Sequence, residues 1–324
     1  MIIDNKTAVI LGAGSIGIRH AKNLLERGID VTFVRREIDE VFDAKFRVTS
    51  TTWQEFERSD LRFDYGFICT PTNKHIEDLT LLSNKTDKIF LEKPLCSDVS
   101  QLDGELGDVN PNSIFIGFML RFHPSIKSLY NEFSLVSEQC IGANYHFGSY
   151  MPGWHPNEDY RHGYAGRKSM GGGVVRTISH EIDLAVWFHG IPESVTARYT
   201  EKKHLEIDCE ENAFISFHYI SYSVNIGLNY LEKVYNRQIQ INCLEERFHW
   251  EWDKNIVYKT TYSGLQEVSS HHDFDVNQLY KDELEFFLEA KEFDNSCNLN
   301  HAIQIQRIIE ALDESNRDNK TVKL

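Results

Sequence analysis

The sequence predicts an α/β protein. A doubly wound parallel sheet spans residues 1–120, and a second domain with a meander of antiparallel strands spans 121–324. Three observations predict this. A glycine-rich loop joins an apolar run to an amphipathic helix near the N-terminus. Apolar runs and helical patterns then alternate as far as residue 120. Beyond residue 190, short segments alternate apolar and polar residues with a period of two.

Ala8 to Leu11 is an apolar run suited to a strand buried on both faces. Gly12-x-Gly14-x-x-Gly17 follows, with Ser15 and Ile16 inside it. Ile18, Ala21, Leu24 and Leu25 recur at helical spacing, Gly28 ends that helix, and Val31 to Val34 is the next strand. In this strand–loop–helix–strand context the glycines read as a Rossmann dinucleotide site. Gly12 permits the tight turn, Gly14 lets a pyrophosphate approach the backbone, and Gly17 lets the helix pack closely. The helix N-terminus would face the phosphates.

The end of the second strand bears on which dinucleotide. NAD sites usually place Asp or Glu there for the ribose 2′-hydroxyl. Here the strand ends Val34-Arg35-Arg36. Two guanidiniums suit a 2′-phosphate, which favours NADP over NAD. Glu37 keeps NAD open, and a solvated surface pair is the alternative.

Tyr65 to Thr70 reads as a strand, residues 71–75 as a turn and Ile76 to Leu82 as a helix. Lys88 to Glu92 is a strand running into Lys93-Pro94, and Ser113 to Leu120 is another. Doubly wound sheets bind ligands at the carboxyl ends of their strands. Thr70, Pro71, Asn73, His75, Glu92, Lys93 and Pro94 lie at those ends.

Composition narrows the partners. A net charge of −15 on 324 residues speaks against a phosphate-backbone partner. No apolar run approaches the ~20 residues of a membrane span, and the N-terminus lacks a signal-peptide pattern, so a cytoplasmic location is expected. The six cysteines are widely spaced, as free thiols in a reducing compartment would be. No metal is expected: His271-His272-Asp273 lacks a spaced partner set. No nucleophile triad is evident.

The second domain reads as short strands at 194–201, 212–219, 222–230, 237–243, 247–253 and 255–262, then helices at Val276–Lys291 and Leu299–Asn316. An apolar second sheet face would need a partner subunit or helices to cover it.

The stretches GAGSIGIRHAKNL, CTPTNKH, FLEKPLCSD, FMLRFHPSI and GGGVVRTISHEIDLAVWFHG occur in that order. With them the chain resembles the glucose–fructose oxidoreductase/inositol dehydrogenase (Gfo/Idh/MocA) family over nearly its whole length. The stretch from Gly148 through Gly173 is similar to a branch associated with surface-polysaccharide and nonulosonic-sugar biosynthesis. The resemblance implies a C-terminal α/β domain on an open, mostly antiparallel sheet that forms a homodimer or homotetramer face. It implies hydride transfer between a nicotinamide and a hydroxyl or carbonyl carbon of a sugar, sugar acid or nucleotide-sugar. Two other readings stand beside it: a cofactor-recycling hydrolase or lyase, and a catalytically inactive sensor.

Lys93 matches the family's active-site lysine, which would stabilise alkoxide charge or trade a proton. His180 matches its histidine, and imidazole exchanges protons near neutrality. The resemblance implies that the two converge on the reacting carbon. Many relatives carry Asp three or four residues before this histidine, where this chain has Thr177 and Arg176. Thr177 can still hydrogen-bond in its place. Arg176 could grip an anionic group or be a surface charge. Gly171 to Gly173 fit a loop lying close to substrate or cofactor. Residues 155–168 offer His155, Tyr160, His162 and Tyr164 as further substrate contacts, and Arg161, Arg167 and Lys168 suggest an anionic substrate. Arg121 marks the domain junction, as a structural residue or one lining the site.

Overall fold

Thr7–Leu11 form β1, and Ala8, Val9, Ile10 and Leu11 are shut off from solvent, as a strand covered on both faces must be. The computed structural model describes residues 6–102, 109–154, 159–200, 203–293 and 297–324. After β1 come α1 (Ser15–Glu26), β2 (Asp30–Arg35), α2 (Glu40–Phe46), β3 (Thr49–Thr52), α3 (Trp53–Arg58), β4 (Phe63–Ile68), α4 (His75–Ser83), β5 (Thr86–Leu91) and β6 (Ile114–Ile116). All six strands run parallel in the order β3-β2-β1-β4-β5-β6, so the strand order reverses beside β1.

The second group begins with α5 (Pro124–Ser134) and β7 (Cys140–Gly148). It continues with α6 (Val174–Thr177), α7 (His180–His189), β8 (Ser194–Tyr199), β9 (Asn212–His218), β10 (Ser223–Asn229) and β11 (Asn236–Cys243). Then follow β12 (Glu246–Glu251), β13 (Ile256–Thr261), β14 (Gly264–Ser270), α8 (Val276–Glu289), α9 (Leu299–Asp318) and β15 (Val322–Lys323). The nine-stranded sheet has the order β14-β13-β12-β11-β7-β10-β9-β8-β15 and is antiparallel except where β7 meets β10.

The chain divides into two compact units. One is Met1–Phe118 with Tyr280–Ile303, the other Met119–Leu279 with Gln304–Leu324. A single cut at residue 120 therefore misses the return of 280–303. In the first unit Phe67 and Phe90 stack at 5.2 Å, and Phe287 of α8 packs edge-on against both. Lys88 of β5 donates to the carbonyls of Phe287, Leu288 and Ala290, capping the carboxyl end of α8. No helix among the described residues is long and apolar enough to cross a membrane.

In the second unit one row of side chains crosses seven strands in register: Ala197, Ile215, Ile226, Tyr145, Ile239, Trp250 and Val257. All are fully buried. The alternate residues Ser216, Asn225, Asn144, Gln240 and His249 form the opposite face, where Ser216 donates to Asn225 and Asn225 to Asn144. The apolar second face expected above is thus corrected: period-two alternation sorts polar residues onto it.

Several elements depart from expectation. β3 is four polar residues, and α2 buries none of its side chains, so neither shows the apolar pattern that marks an element. β6 stops at Ile116, and Met119–Phe122 turn as a 3-10 helix. β7 carries an extra residue near Ile141: Gly142 pairs with Asn242 and Cys140 with Cys243. That bulge breaks the alternation that would reveal the strand.

Candidate active site

In the first unit the glycine loop closes between β1 and α1. Gly12 has φ +101°, and a Cβ there would stand 2.5 Å from the Cys69 carbonyl oxygen. A Cβ on Gly17 would stand 2.0 Å from the Gly12 oxygen, so the helix can lie this close only as glycine. Gly14 differs: a Cβ there would meet nothing within 4 Å. Gly14 is also the N-cap of α1 and no side chain caps the helix, so the amides of Ser15, Ile16 and Gly17 precede the first helical bond, Ile18 N to Gly14 O. Open space against uncapped amides fits a pyrophosphate.

Arg35 ends β2. Its guanidinium lies 4.0 Å from the Phe42 ring centroid and 3.8 Å from Asp39, and its Nη1 is buried without a protein acceptor. Arg36 is exposed. Thr70 follows β4, and its hydroxyl donates to Asp78 of α4 at 2.5 Å. His75 is buried, with Nε2 2.9 Å from the Thr70 carbonyl and Nδ1 2.8 Å from the Pro94 carbonyl. Both ring nitrogens face backbone carbonyls and the single N–H of the neutral ring donates to one of them, so His75 bridges two strand ends instead of offering its ring to a ligand. Burial holds it below the usual imidazole range. Asn73 uses its carbonyl to accept from Gln101. Pro71 leads into this turn. Lys93 is half-buried after β5, joined to Pro94 by a cis peptide.

Burial lifts the Asp78 carboxyl to about 6, against the opposing effect of Thr70. A raised folded value means stability that is complete below the unfolded value near 4 and lost as pH rises through 6. Asp78→Asn is expected to flatten melting temperature against pH across that window, a difference on the order of 2–3 kcal/mol. Unaltered pH dependence in the variant would remove Asp78 as its source.

In the second unit two of the three glycines, Gly172 and Gly173, answer to their own chain. A Cβ on Gly172 would stand 2.2 Å from the Tyr164 carbonyl oxygen, and one on Gly173 (φ +111°) 2.2 Å from the Glu210 carboxylate. Their closeness is to residues 164–165 and 210, so packing against their own chain accounts for these two glycines. Thr177 ends α6, buried beside the Tyr230 phenol. After a break at Ile178-Ser179, His180 opens α7, also buried.

The acids in the first turn of α7 have other partners. Asp183 accepts two hydrogen bonds from Arg121, at 2.9 and 2.6 Å, and Glu181 accepts from Arg237 at 2.7 Å. All four side chains are buried, so Arg121 is structural. Arg176 is neither a surface charge nor aimed at an anion: it is buried and bonded to Asp313 at 2.6 Å, with Glu310 at 3.9 Å. Arg161 is forked onto Asp159 and also reaches Glu206. Arg167 meets His162 at 3.1 Å and Asp208 at 4.0 Å, and the Lys168 amide donates to Asp208. Arg161 and Arg167 are therefore compensated by carboxylates, which weakens the ground for expecting an anionic substrate. Tyr164 is exposed, and the Tyr160 hydroxyl accepts from the Glu206 amide at 3.5 Å. His155 lies outside the described residues. Sequence reasoning missed His20, Asp78 and Glu283, whose partners are set by packing alone.

Residues 134–245 match the GFO/IDH/MocA C-terminal domain. Among solved structures the chain is similar to levoglucosan dehydrogenase in complex with NADH and levoglucosan, at TM-score 0.84 and 15% identity, covering 98% of this chain and 99% of that one. It is similar to an NAD-binding oxidoreductase from Klebsiella pneumoniae, at TM-score 0.81 and 12% identity over 98% and 99%. It is also similar to a myo-inositol dehydrogenase from Corynebacterium glutamicum, at TM-score 0.77 and 18% identity over 99% of each chain. No curated protein matches at the level of sequence. Identities this low speak for the fold, and the fold is shared from end to end. Residues 134–245 thus carry the C-terminal domain of the Gfo/Idh/MocA proteins, and the chain as a whole shares its fold with these solved oxidoreductases.

Proposed function

We propose that the protein is a nicotinamide-dependent oxidoreductase acting on a hydroxyl or carbonyl carbon of a sugar or sugar derivative. The observation that carries this is the open space at Gly14 against the uncapped start of α1, with Lys93 at the carboxyl edge of the same sheet. The solved dehydrogenases of the same fold support it. When bound, the nicotinamide supplies or accepts the hydride. The chain's own residues do the rest. The amides of Ser15, Ile16 and Gly17 bind phosphate, Lys93 steadies negative charge on the reacting oxygen, and His180 takes or returns its proton. Thr177 stands where relatives place an acid and acts only as a hydrogen-bonding group. The same reading expects a homodimer or homotetramer, which sedimentation tests.

For the cofactor we favour NADP. The buried, unaccepted Nη1 of Arg35 and the Phe42 ring beneath its guanidinium suit a 2′-phosphate. Paired titrations with NADPH and NADH test this. NADPH is expected to bind at least ten-fold tighter, and Arg35→Asp to reverse the order. Equal affinities before and after the change would sink the NADP assignment. If neither form binds, the oxidoreductase reading itself falls.

A further inference from the structure

Within the first unit, behind the Glu92-Lys93-Pro94 turn, lies a buried acid that the proposed reaction leaves idle. His20 of α1 is fully buried, with its Nε2 2.9 Å from Glu92 Oε1. Its ring packs on Phe67 and Phe90 and meets the Tyr280 ring edge-on at 6.2 Å. Arg19 lies over that same tyrosine, 4.3 Å from its centroid. Tyr280, Glu283 and Phe287 follow one another at helical spacing on α8. Tyr280 against His20, and Phe287 against Phe67 and Phe90, turn that face inward. Glu283 is thereby enclosed. It is 1% exposed, its Oε1 has no hydrogen-bond partner, and the charged group set against it is another carboxylate, Glu92.

A carboxyl group enclosed this fully, with one oxygen lacking a hydrogen bond and another acid as its electrostatic neighbour, favours its neutral form. We propose that Glu283 is a positioning residue that acts through Glu92. It remains a neutral acid, so no further buried charge stands behind the turn that carries Lys93, where His20 holds Glu92. The proposal rests on the oxidoreductase reading for the use made of Lys93; the carboxyl pair stands without it.

Burial and Glu92 both push the Glu283 carboxyl well above the ordinary range. The other titratable or charged groups around the pair are Arg19 and His20 of α1, Cys69 after β4, His75 of α4 and Tyr280 of α8. Burial and Glu92 push the Cys69 thiol up as well, so it needs a control.

Melting temperature and NADPH and NADH affinity are followed from pH 6 to 10.5 on the full chain, for the natural sequence and for Glu283→Gln, Glu92→Gln and Cys69→Ser. In the natural sequence both readouts are expected to fall together on the alkaline side, affinity by at least five-fold. Cys69→Ser keeps that fall and Glu283→Gln abolishes it. Glu92→Gln, which removes the repelling charge, moves the melting step to lower pH. A flat profile in the natural sequence, an unchanged fall in Glu283→Gln, or an unmoved step in Glu92→Gln would each overturn the proposal. Should Glu283→Gln fail to fold, the shift in Glu92→Gln decides. Should no form bind either cofactor, the oxidoreductase reading fails while the melting profiles still judge the pair.

Discussion

Lys93→Met is expected to lower turnover by about 10³-fold or more, with NADPH and NADH affinity kept within a few-fold. A lysine that steadies charge only as the substrate reacts contributes to the barrier and not to ground-state binding, and about 10³-fold corresponds to roughly 4 kcal/mol. The phosphate cradle lies elsewhere, on the amides that open α1, so cofactor affinity is a control on folding. His180→Ala is expected to behave alike in the second unit, with a loss of about 10²–10⁴-fold, the range for a lost proton-transfer group. Steady-state kinetics beside a fluorescence titration separate the two effects. Turnover within ten-fold of the natural protein in either variant would take that residue out of its role.

The second large effect concerns stability. Asp183→Ala should lower the melting temperature by roughly 10 °C, because it strands the Arg121 guanidinium inside the protein. Breaking a buried ion pair from one side costs about 3–5 kcal/mol, since the remaining charge loses its partner without regaining water. The pair is fully enclosed, and Trp187 covers the guanidinium at 5.2 Å. The double change Arg121→Leu with Asp183→Leu should recover much of the loss. A single variant that melts within 2–3 °C of the natural protein would mean that Arg121 finds another acceptor. The expectation has a functional side: Asp183 sits one turn after His180, so loosening it should also slow turnover.

The sequence is readable where its patterns are local. Gly12-x-Gly14-x-x-Gly17 announces itself because its spacing is local and each glycine has a steric reason. The strands of the second sheet from β8 to β13 announce themselves because alternation is imposed by one buried face. Arg121 and Asp183 are 62 residues apart, and no local pattern joins them. Asp183 lies within one turn of His180, a nearness visible in the sequence, whereas its distant arginine is not. Arg167 looked uncompensated because its acid, Asp208, lies some forty residues on, and Arg161 adds the equally distant Glu206 to the nearby Asp159. Glu283 reads as an ordinary helix glutamate until Tyr280 and Phe287 are seen to turn its face inward.

The return of residues 280–303 to the first unit governs the order in which the chain can be built. Phe287 follows its capping residue Lys88 by 199 positions. At a synthesis rate of about 5–20 residues per second, about 10–40 s pass between the two leaving the ribosome. During that interval the stacked Phe67 and Phe90 lack their cover, while the whole nine-stranded sheet apart from β15 is being made. The nascent first unit is therefore a natural client for a chaperone, and a fragment ending at residue 118 would keep that apolar surface for good.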